Sequence, residues 1–180
     1  SIDRSMYDRI SDSDFRKLMW MAPEDSPLRD KCQLPASIAQ YKDIFVDYAS
    51  LKFRPNGGNT TDYAVGAASA FPLMRVEEMY FIEAEAAAQL GEGAGLLTAF
   101  MQAYRDKKYS CMATSQEGII EEIVFQKRIE LWGEGQTFFD VKRLDMPVTR
   151  GYEGNNRVDP LELLNTTRRP AWMNIVIVQT

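Results

Sequence analysis

The sequence predicts a mainly helical fold of stacked helical hairpins, and two long segments carry this prediction. Residues 72–90 place small and apolar side chains over about 240° of a helical wheel. Residues from about Gln116 to Gly133 place apolar side chains on two nearly opposite faces. A helix at a protein surface shows a narrower apolar stripe. Both segments are therefore expected to contact neighbours on more than one side, with long loops and at most a few short strands elsewhere.

The first part of the chain, residues 1–71, is predicted to be an entry segment rather than part of the helical core. Ser11 and Asp14 match a capping box, which predicts a short helix from Asp12 to about Trp20. Met21 to Pro35 contains three prolines and is predicted to be an irregular loop.

An extended stretch and a turn are predicted next. Tyr48 to Arg54 alternates between polar and apolar residues and reads as a strand or extended segment. Asn56-Gly57-Gly58-Asn59 has the composition of a turn or mobile loop. The helical core is therefore expected to begin after residue 71.

The core itself is bounded by residues that favour helix ends. Pro72 suits a first helical turn, and Gly91 suits the position just past a last turn. The predicted helices lie at about residues 72–90, 95–108, 116–133 and 137–144. Residues 145–180 are rich in Gly, Pro, Asn and Arg and are predicted to be mostly loop, with a terminal strand or extended tail at Ile175–Val178. We expect one domain over residues 1–180, in three parts: 1–71, 72–144 and 145–180.

Composition and charge argue against several classes of function. A net charge of -5 without a clustered Lys/Arg stripe argues against nucleic-acid binding. No stretch is long and apolar enough to cross a membrane. The chain lacks histidine, which excludes a His-based catalytic triad and the usual His-containing zinc sites, so no metal or cofactor is predicted. Cys32 and Cys111 could pair or stay as buried thiols, and free thiols are the favoured interpretation.

Eight charged side chains lie in and beside the predicted core helices. They are Arg75, Glu78, Glu85, Arg128, Glu130, Glu134, Asp140 and Arg143. Carboxylates on adjacent helices are also what a glycosidase uses. Because half-buried charges have to be paired, the favoured interpretation is a structural network of ion pairs that fixes one helix against the next, with no catalytic residue.

Two segments carry long sequence motifs. Arg75-x-x-Glu78-x-Tyr80-Phe81-x-x-Ala84-Glu85-Ala86 is similar to the R-x-x-E-x-Y-L-x-x-A-E-A helix of the SusD/RagB family of nutrient-binding proteins. The second segment is Arg128-Ile129-Glu130-Leu131-x-x-Glu134-Gly135-Gln136-x-Phe138-Phe139-Asp140-Val141-Lys142-Arg143, and it is similar to R-x-E-L-x-x-E-G-x-R-F-x-D-L-x-R. Thr137 departs from the pattern, since many members carry arginine there. The resemblance covers nearly all of this chain but only the C-terminal part of a family member.

The resemblance implies both a fold and a function. The fold is mainly helical, with tetratricopeptide-like helix pairs and few strands. The function is that of a cell-surface lipoprotein of the Bacteroidetes outer membrane, whose signal peptide and lipid anchor are expected upstream of this chain. Such a protein captures an oligosaccharide, a polysaccharide or another nutrient without catalysis and caps a SusC-like TonB-dependent transporter. The alternative is a helical protein-interaction scaffold that docks on the transporter without binding ligand.

Aromatic residues outside the long helices are the candidate ligand-binding residues. Sugar recognition uses aromatic faces against the apolar side of the ring and polar groups for the hydroxyls. The predicted binding residues are Tyr63, Tyr109, Tyr152 and Trp172. Trp20 and Trp132 are predicted to pack in the core. The resemblance also implies that loops preceding this chain supply much of the ligand site.

Overall fold

The protein, analysed as a computed structural model, consists mainly of helices and loops. The structure describes residues 1–34, 36, 38–53, 55, 58–59, 61–68, 73–157 and 163–173. Its α-helices are α1 (Arg4–Arg9), α2 (Tyr63–Gly66), α3 (Val76–Gln89), α4 (Ala94–Tyr104), α5 (Gln116–Glu130) and α6 (Gln136–Arg143). Short 3₁₀ helices lie at Phe15–Met19, Arg29–Lys31, Ala39–Ile44 and Ala171–Met173. The described residues contain no β-sheet, and the mainly helical prediction is confirmed.

A helical hairpin of α3 and α4 forms the first core. Ala84 and Ala88 are fully buried and let the two helices approach closely. Gly93 stands at the start of α4 with a φ of 105°, where a Cβ would lie 2.5 Å from the backbone oxygen of Ala84. A glycine is therefore needed at this turn.

Helix α5 lies between two cores, as its two apolar faces predict. Ile119 and Ile123 pack into the α3–α4 hairpin. Phe125 and Ile129 pack on the other side, in a second core with Trp20 and the N-terminal segment. Ser115 caps the helix by accepting a hydrogen bond from the backbone of Gly118 at 3.1 Å.

Helix α3 differs from its prediction in two respects. It begins at Val76 rather than near residue 72, and Pro72 lies outside the described residues. Its wide apolar arc predicts neighbours on several sides, but Val76, Met79 and Tyr80 of that arc are exposed. In the described part of the chain α3 packs chiefly on α4 and α5, which cover the side that carries Phe81. The expectation of contacts on several sides is therefore wrong for these residues.

The entry segment also departs from its prediction. Helix α1 was not expected, because six residues are too few to show a period. The expected helix at 12–20 is a 3₁₀ helix over Phe15–Met19, and Asp14 rather than Ser11 caps it through the backbone of Arg16 at 2.9 Å.

The expected strand at residues 48–54 is reduced to a single bridge between Ser50 and Trp20. Tyr48 has a φ of 64°, which breaks the extended conformation at its first residue. Arg54, Asn56 and Gly57 of the predicted strand and turn, and the predicted tail segment Ile175–Val178, lie outside the described residues.

The tail folds back on the N-terminal segment. Asn156 donates to the backbone oxygen of Ile2 at 2.8 Å and accepts from the backbone of Arg4 at 3.0 Å. Tyr152 donates its hydroxyl to Asp3 at 2.8 Å. Hydrogen bonds thus join the start of the chain to the tail, although these segments are distant in sequence.

Both cysteines are free thiols. Cys32 packs against the core of the N-terminal segment, and its Sγ donates to the backbone oxygen of Trp20 at 3.3 Å. Cys111 packs against the core of the α3–α4 hairpin. Within the described ranges, no helix has the length and apolar content that spanning a bilayer would need.

Candidate functional site

A cleft with a volume of about 730 Å³ opens between the N-terminal segment, α5, α6 and the tail. This volume lies within the range of ligand-binding pockets, roughly 300–1,000 Å³. Side chains with exposed aromatic faces or guanidinium groups dominate its chemistry: Arg9, Arg128, Phe138, Arg150, Arg157 and Trp172.

Helical spacing brings these side chains to the cleft. Residues three or four apart share one face of a helix. Helix α5 contributes Phe125 and Arg128 in this way, and Trp132 follows one turn later, just past its end. Helix α6 contributes Phe138 and Val141. The site is therefore built from pairs of residues three apart on separate helices rather than from one sequence motif.

Two aromatic side chains are accessible in the cleft. Trp172, on the 3₁₀ helix Ala171–Met173, is 65% exposed, and Phe138 is 37% exposed. Phe138 stands edge-on to Phe139, with ring centroids 5.6 Å apart. Trp132 is half-buried and packs edge-on against the buried Trp20 at 5.9 Å. Trp132 thus joins the cleft to the core, whereas Trp172 offers a face to solvent.

Arg128 is a partly buried arginine of the cleft that lacks a counter-ion among the described residues. It is partly buried, and its guanidinium forms no hydrogen bond or ion pair with any residue in the described ranges. Burial lowers the pKa of Arg128, and the carboxylate of Asp3 partly opposes this effect. Arg9 is held differently: its guanidinium lies 3.7 Å from the ring centroid of Phe125 and 3.4 Å from Glu122.

Asp3 is the carboxylate of the cleft lining. Its Oδ1 accepts hydrogen bonds from the backbone of Ser5 at 3.0 Å, the hydroxyl of Ser5 at 2.6 Å and the hydroxyl of Tyr152 at 2.8 Å. Its Oδ2 is buried and has no partner among the described residues. Asp3 therefore ties the start of α1 to the tail.

The predicted ligand-binding residues are dispersed. Trp172 lines the cleft, and Tyr63 is 88% exposed on α2 outside it. Tyr109 donates its hydroxyl to Glu122 at 3.0 Å, and burial together with that carboxylate raises the pKa of Tyr109. Tyr152 holds Asp3 at the cleft wall. Four further lining residues were not predicted as binding residues from the sequence: Arg9, Phe138, Arg150 and Arg157. The i, i+3 spacing of Phe138 and Val141 on α6 was a signal for Phe138, whereas the three arginines lie outside α5 and α6.

A charged network lies beside the cleft, centred on the buried carboxylate of Glu130. Arg75 contacts it at 2.5 Å, Arg105 at 2.7 Å and Arg16 at 3.3 Å. Burial alone would raise the pKa of Glu130, but the hydrogen bond and charge of Arg105, with the charges of Arg16 and Arg75, lower it to about 2. Glu130 thereby connects the Phe15–Met19 helix, the start of α3, the end of α4 and α5.

The remaining predicted charges form smaller groups. Glu134 pairs with Arg75 at 2.7 Å and also with Lys52. Asp140 pairs with Lys127 at 3.1 Å and with Arg143 at 2.8 Å. Arg143 also pairs with Glu85, which joins α6 to α3.

Two of the eight predicted network residues remain outside these ion pairs. Neither Glu78 nor Arg128 forms an ion pair with a described residue. Five further charged residues take part in these ion pairs but were not predicted: Arg16, Lys52, Glu77, Arg105 and Lys127.

The carboxylate of the cleft is fixed in place: Asp3 is held by three hydrogen bonds, from the backbone and hydroxyl of Ser5 and from the hydroxyl of Tyr152. Among the described residues no group of three or more His, Cys, Asp or Glu side chains is arranged to hold a metal ion. Exposed aromatic rings beside guanidinium donors are suited to holding a polyol.

Comparisons with known proteins agree with this description. The model of the SusD family matches residues 45–160, a range that includes α2 to α6. A solved structure, a SusD-like carbohydrate binding protein from Bacteroides vulgatus, is 26% identical and superposes with a TM-score of 0.58. The alignment covers 84% of this chain and 29% of that one. The comparison with curated proteins gives no match. Because the family match spans more than half of the sequence, this chain belongs to the SusD family.

Proposed function

We propose that this chain contributes to non-catalytic glycan binding at the bacterial cell surface, in a lipoprotein that works with a SusC-like transporter of the outer membrane. One observation carries the glycan assignment: Trp172 and Phe138 expose aromatic surface in a concave cleft that also holds guanidinium donors. Aromatic surface stacks on the apolar face of a sugar ring, and the donors bind its hydroxyls. Family membership and the carbohydrate-binding protein that it resembles support the same class of ligand.

The four residues predicted from the sequence take different parts in this proposal. Trp172 is the proposed stacking residue. Tyr152 acts indirectly, because its hydroxyl fixes Asp3 at the cleft wall. Tyr109 supports the helices behind the cleft through Glu122. Tyr63, with its exposed ring, is proposed to contact ligand or partner outside the cleft.

The test is a calorimetric titration against a panel of soluble plant, host and microbial polysaccharides. We expect saturable binding to one class, with affinity lowered about tenfold by Trp172→Ala and less by Phe138→Ala, since stacking on an aromatic ring contributes about 1 kcal/mol or more. Phe139→Ala is the matched control, because Phe139 is exposed next to Phe138 but does not line the cleft. If binding is saturable and neither cleft variant changes it, the ligand does not bind in this cleft. Release of new reducing ends during the titration would contradict the non-catalytic assignment.

A specific surface favours the alternative of a protein-interaction scaffold. Val76, Met79 and Tyr80 on α3 and Tyr104 on α4 are exposed, and we call these residues the outer apolar face. Exposed apolar surface of this kind marks interaction sites. The proposed occupant is the SusC-like transporter.

Capture of the transporter from detergent-solubilised outer membranes tests this alternative. Met79→Asp is expected to reduce capture strongly, because it places a charge in the outer apolar face. Met112→Asp is the control, since Met112 is equally apolar and highly exposed but lies in the loop after α4. Equal capture by both variants would rule out this face as the docking site.

A further inference from the structure

Arginines outnumber carboxylates in the described lining of the cleft, although the chain is acidic overall. The protein has a net charge of -5, yet Arg9, Arg128 and Arg150 and a single carboxylate, that of Asp3, are among the described side chains that line the cleft. A cleft lined by charges of one sign focuses its field and raises the local concentration of ligands of the opposite sign. Neutral sugars do not need such a field.

Arg128 differs from the arginines of the network. Arg75, Arg105 and Arg143 each pair with carboxylates. Arg128 is partly buried but has no such partner among the described residues, although Asp3 lies near enough to influence it. A partly desolvated guanidinium without a counter-ion is costly, and a planar carboxylate fits its paired donors.

We propose that the cleft binds a glycan that bears carboxylate groups, with Arg128 holding a carboxylate and Trp172 stacking on a sugar ring. This inference rests on the proposed glycan-binding function and names the class of glycan. Uronic acid residues carry the carboxylate on the pyranose itself, so one sugar unit can present both features.

Neighbouring arginines extend the field around Arg128. Arg9 is oriented by its contact with Phe125 at 3.7 Å, and because Arg9 is itself exposed, its pairing with Glu122 at 3.4 Å neutralises it incompletely. Arg150 is exposed at the cleft, and only its backbone is fixed, through Asn165 at 2.9 Å. The carboxylate of Asp3 offsets one of these charges, so the guanidinium groups of Arg9, Arg128 and Arg150 still outnumber carboxylates among the described lining residues.

The experiment compares three probes of similar length by calorimetry. They are an oligogalacturonide, its fully methyl-esterified form and an oligosaccharide that carries sulfate groups but no carboxylates. We expect the acid form to bind at least tenfold more tightly than the ester, because a hydrogen bond to a charged group contributes more than one to a neutral group. Raising the salt concentration should weaken binding of the acid form and leave the ester unaffected.

Two variants assign the effect to the cleft. Arg128→Gln should lower the affinity for the acid form about tenfold and leave the affinity for the ester unchanged. Arg150→Gln should lower it by a smaller factor, and this exposed position keeps the test valid if Arg128→Gln fails to fold. Arg168→Gln is the control of equal charge change, since Arg168 is exposed, pairs with Asp145 at 2.6 Å and does not line the cleft.

Each other outcome overturns a defined part of the proposal. Equal binding of acid and ester that Trp172→Ala abolishes would keep the glycan function and reject the carboxylate. Tighter binding of the sulfated probe than of the acid form would also reject the carboxylate assignment. If none of the three probes binds and no polysaccharide of the panel binds, both the carboxylate assignment and the glycan site are rejected.

Discussion

Glu130 is the residue on which the charged network depends. Three guanidinium groups converge on a carboxylate that is only 5% exposed, and they come from segments that are far apart in the sequence. A buried ion pair is costly to form, but removing one partner leaves the others unpaired in a poorly hydrated site. The position should therefore tolerate no neutral replacement without a large loss of stability.

Replacing Glu130 with glutamine tests this dependence. We expect the free energy of unfolding to fall by about 3–5 kcal/mol at pH 7, because Arg16, Arg75 and Arg105 lose their shared counter-charge. Urea denaturation followed by circular dichroism measures the change. Glu121→Gln is the control, since Glu121 is an exposed residue on the same helix. A loss no larger than that of the control would show that the network adds little to stability.

The same carboxylate predicts a pH dependence. The folded-state pKa of Glu130 is about 2, below the ordinary value of about 4.3, so its contribution to stability is complete above the ordinary pKa. It is lost as the pH falls through about 2, where the folded protein also takes up the proton. The free energy of unfolding of the natural protein should thus decrease between about pH 5 and pH 2, and Glu130→Gln should flatten this decrease. Parallel pH profiles for the two proteins would contradict the assignment.

For single residues, the sequence predicted which charged side chains form ion pairs better than it predicted the residues with which they pair. Glu130, Arg75 and Glu134 were expected to pair because charges beside buried helix faces need partners. Arg16 was not expected, because nothing in a local pattern shows that an entry segment will reach α5. Arg128 was assigned to the network on the same reasoning, yet the structure places it in the cleft.

At the scale of elements, the close packing of the α3–α4 hairpin requires a glycine at the turn between the two helices. Gly93→Ala would bring a Cβ to 2.5 Å from the oxygen of Ala84 and 2.8 Å from the backbone nitrogen of Ala88, at a φ that disfavours any side chain. We expect a loss of about 2 kcal/mol or more. Gly95→Ala is the matched control, because its Cβ meets nothing within 4 Å and alanine favours a helix by up to about 1 kcal/mol. Thermal unfolding of both variants checks the prediction, and similar melting temperatures would contradict it.

Long periodic segments were the elements that the sequence could predict. Helix α5 was predicted with both of its apolar faces, because fifteen residues repeat the pattern often enough to identify it. Helix α1 was missed, because six residues held by the Asp3 cap carry no periodic signal. The stretch at 48–54 alternates like a strand, but backbone pairing with the Met19–Met21 segment ends at Leu51.

At the scale of the molecule, the tail and the N-terminal segment close one wall of the cleft together. Asn156→Ala removes the donor to Ile2 and the acceptor for Arg4. We expect the free energy of unfolding to fall by about 1–3 kcal/mol, because the Ile2 carbonyl loses its partner beside a fully buried side chain. Hydrogen exchange should show faster exchange at the Arg4 amide. Asn155→Ala is the control, since Asn155 bonds only within the tail, and equal exchange in both variants would contradict the tie.

The cleft itself was beyond local sequence analysis. Its walls come from α1, α5, α6 and the tail, and their juxtaposition depends on contacts between residues about 150 positions apart, as in the pair Tyr152–Asp3. Trp172 was predicted as a binding residue from its position outside the helices. The exposed outer apolar face of α3 was likewise visible only once its neighbours were known.

The position of α5 between two cores gives the protein a natural pair of chemical reporters. Cys32 packs on one side of α5 and Cys111 on the other, and they are the two cysteines of the chain. Timed alkylation in mild denaturant, resolved by mass spectrometry of the two peptides, would therefore report the opening of each core separately. Simultaneous labelling would mean that α5 couples the cores into one cooperative unit, and staggered labelling would identify the half that opens first.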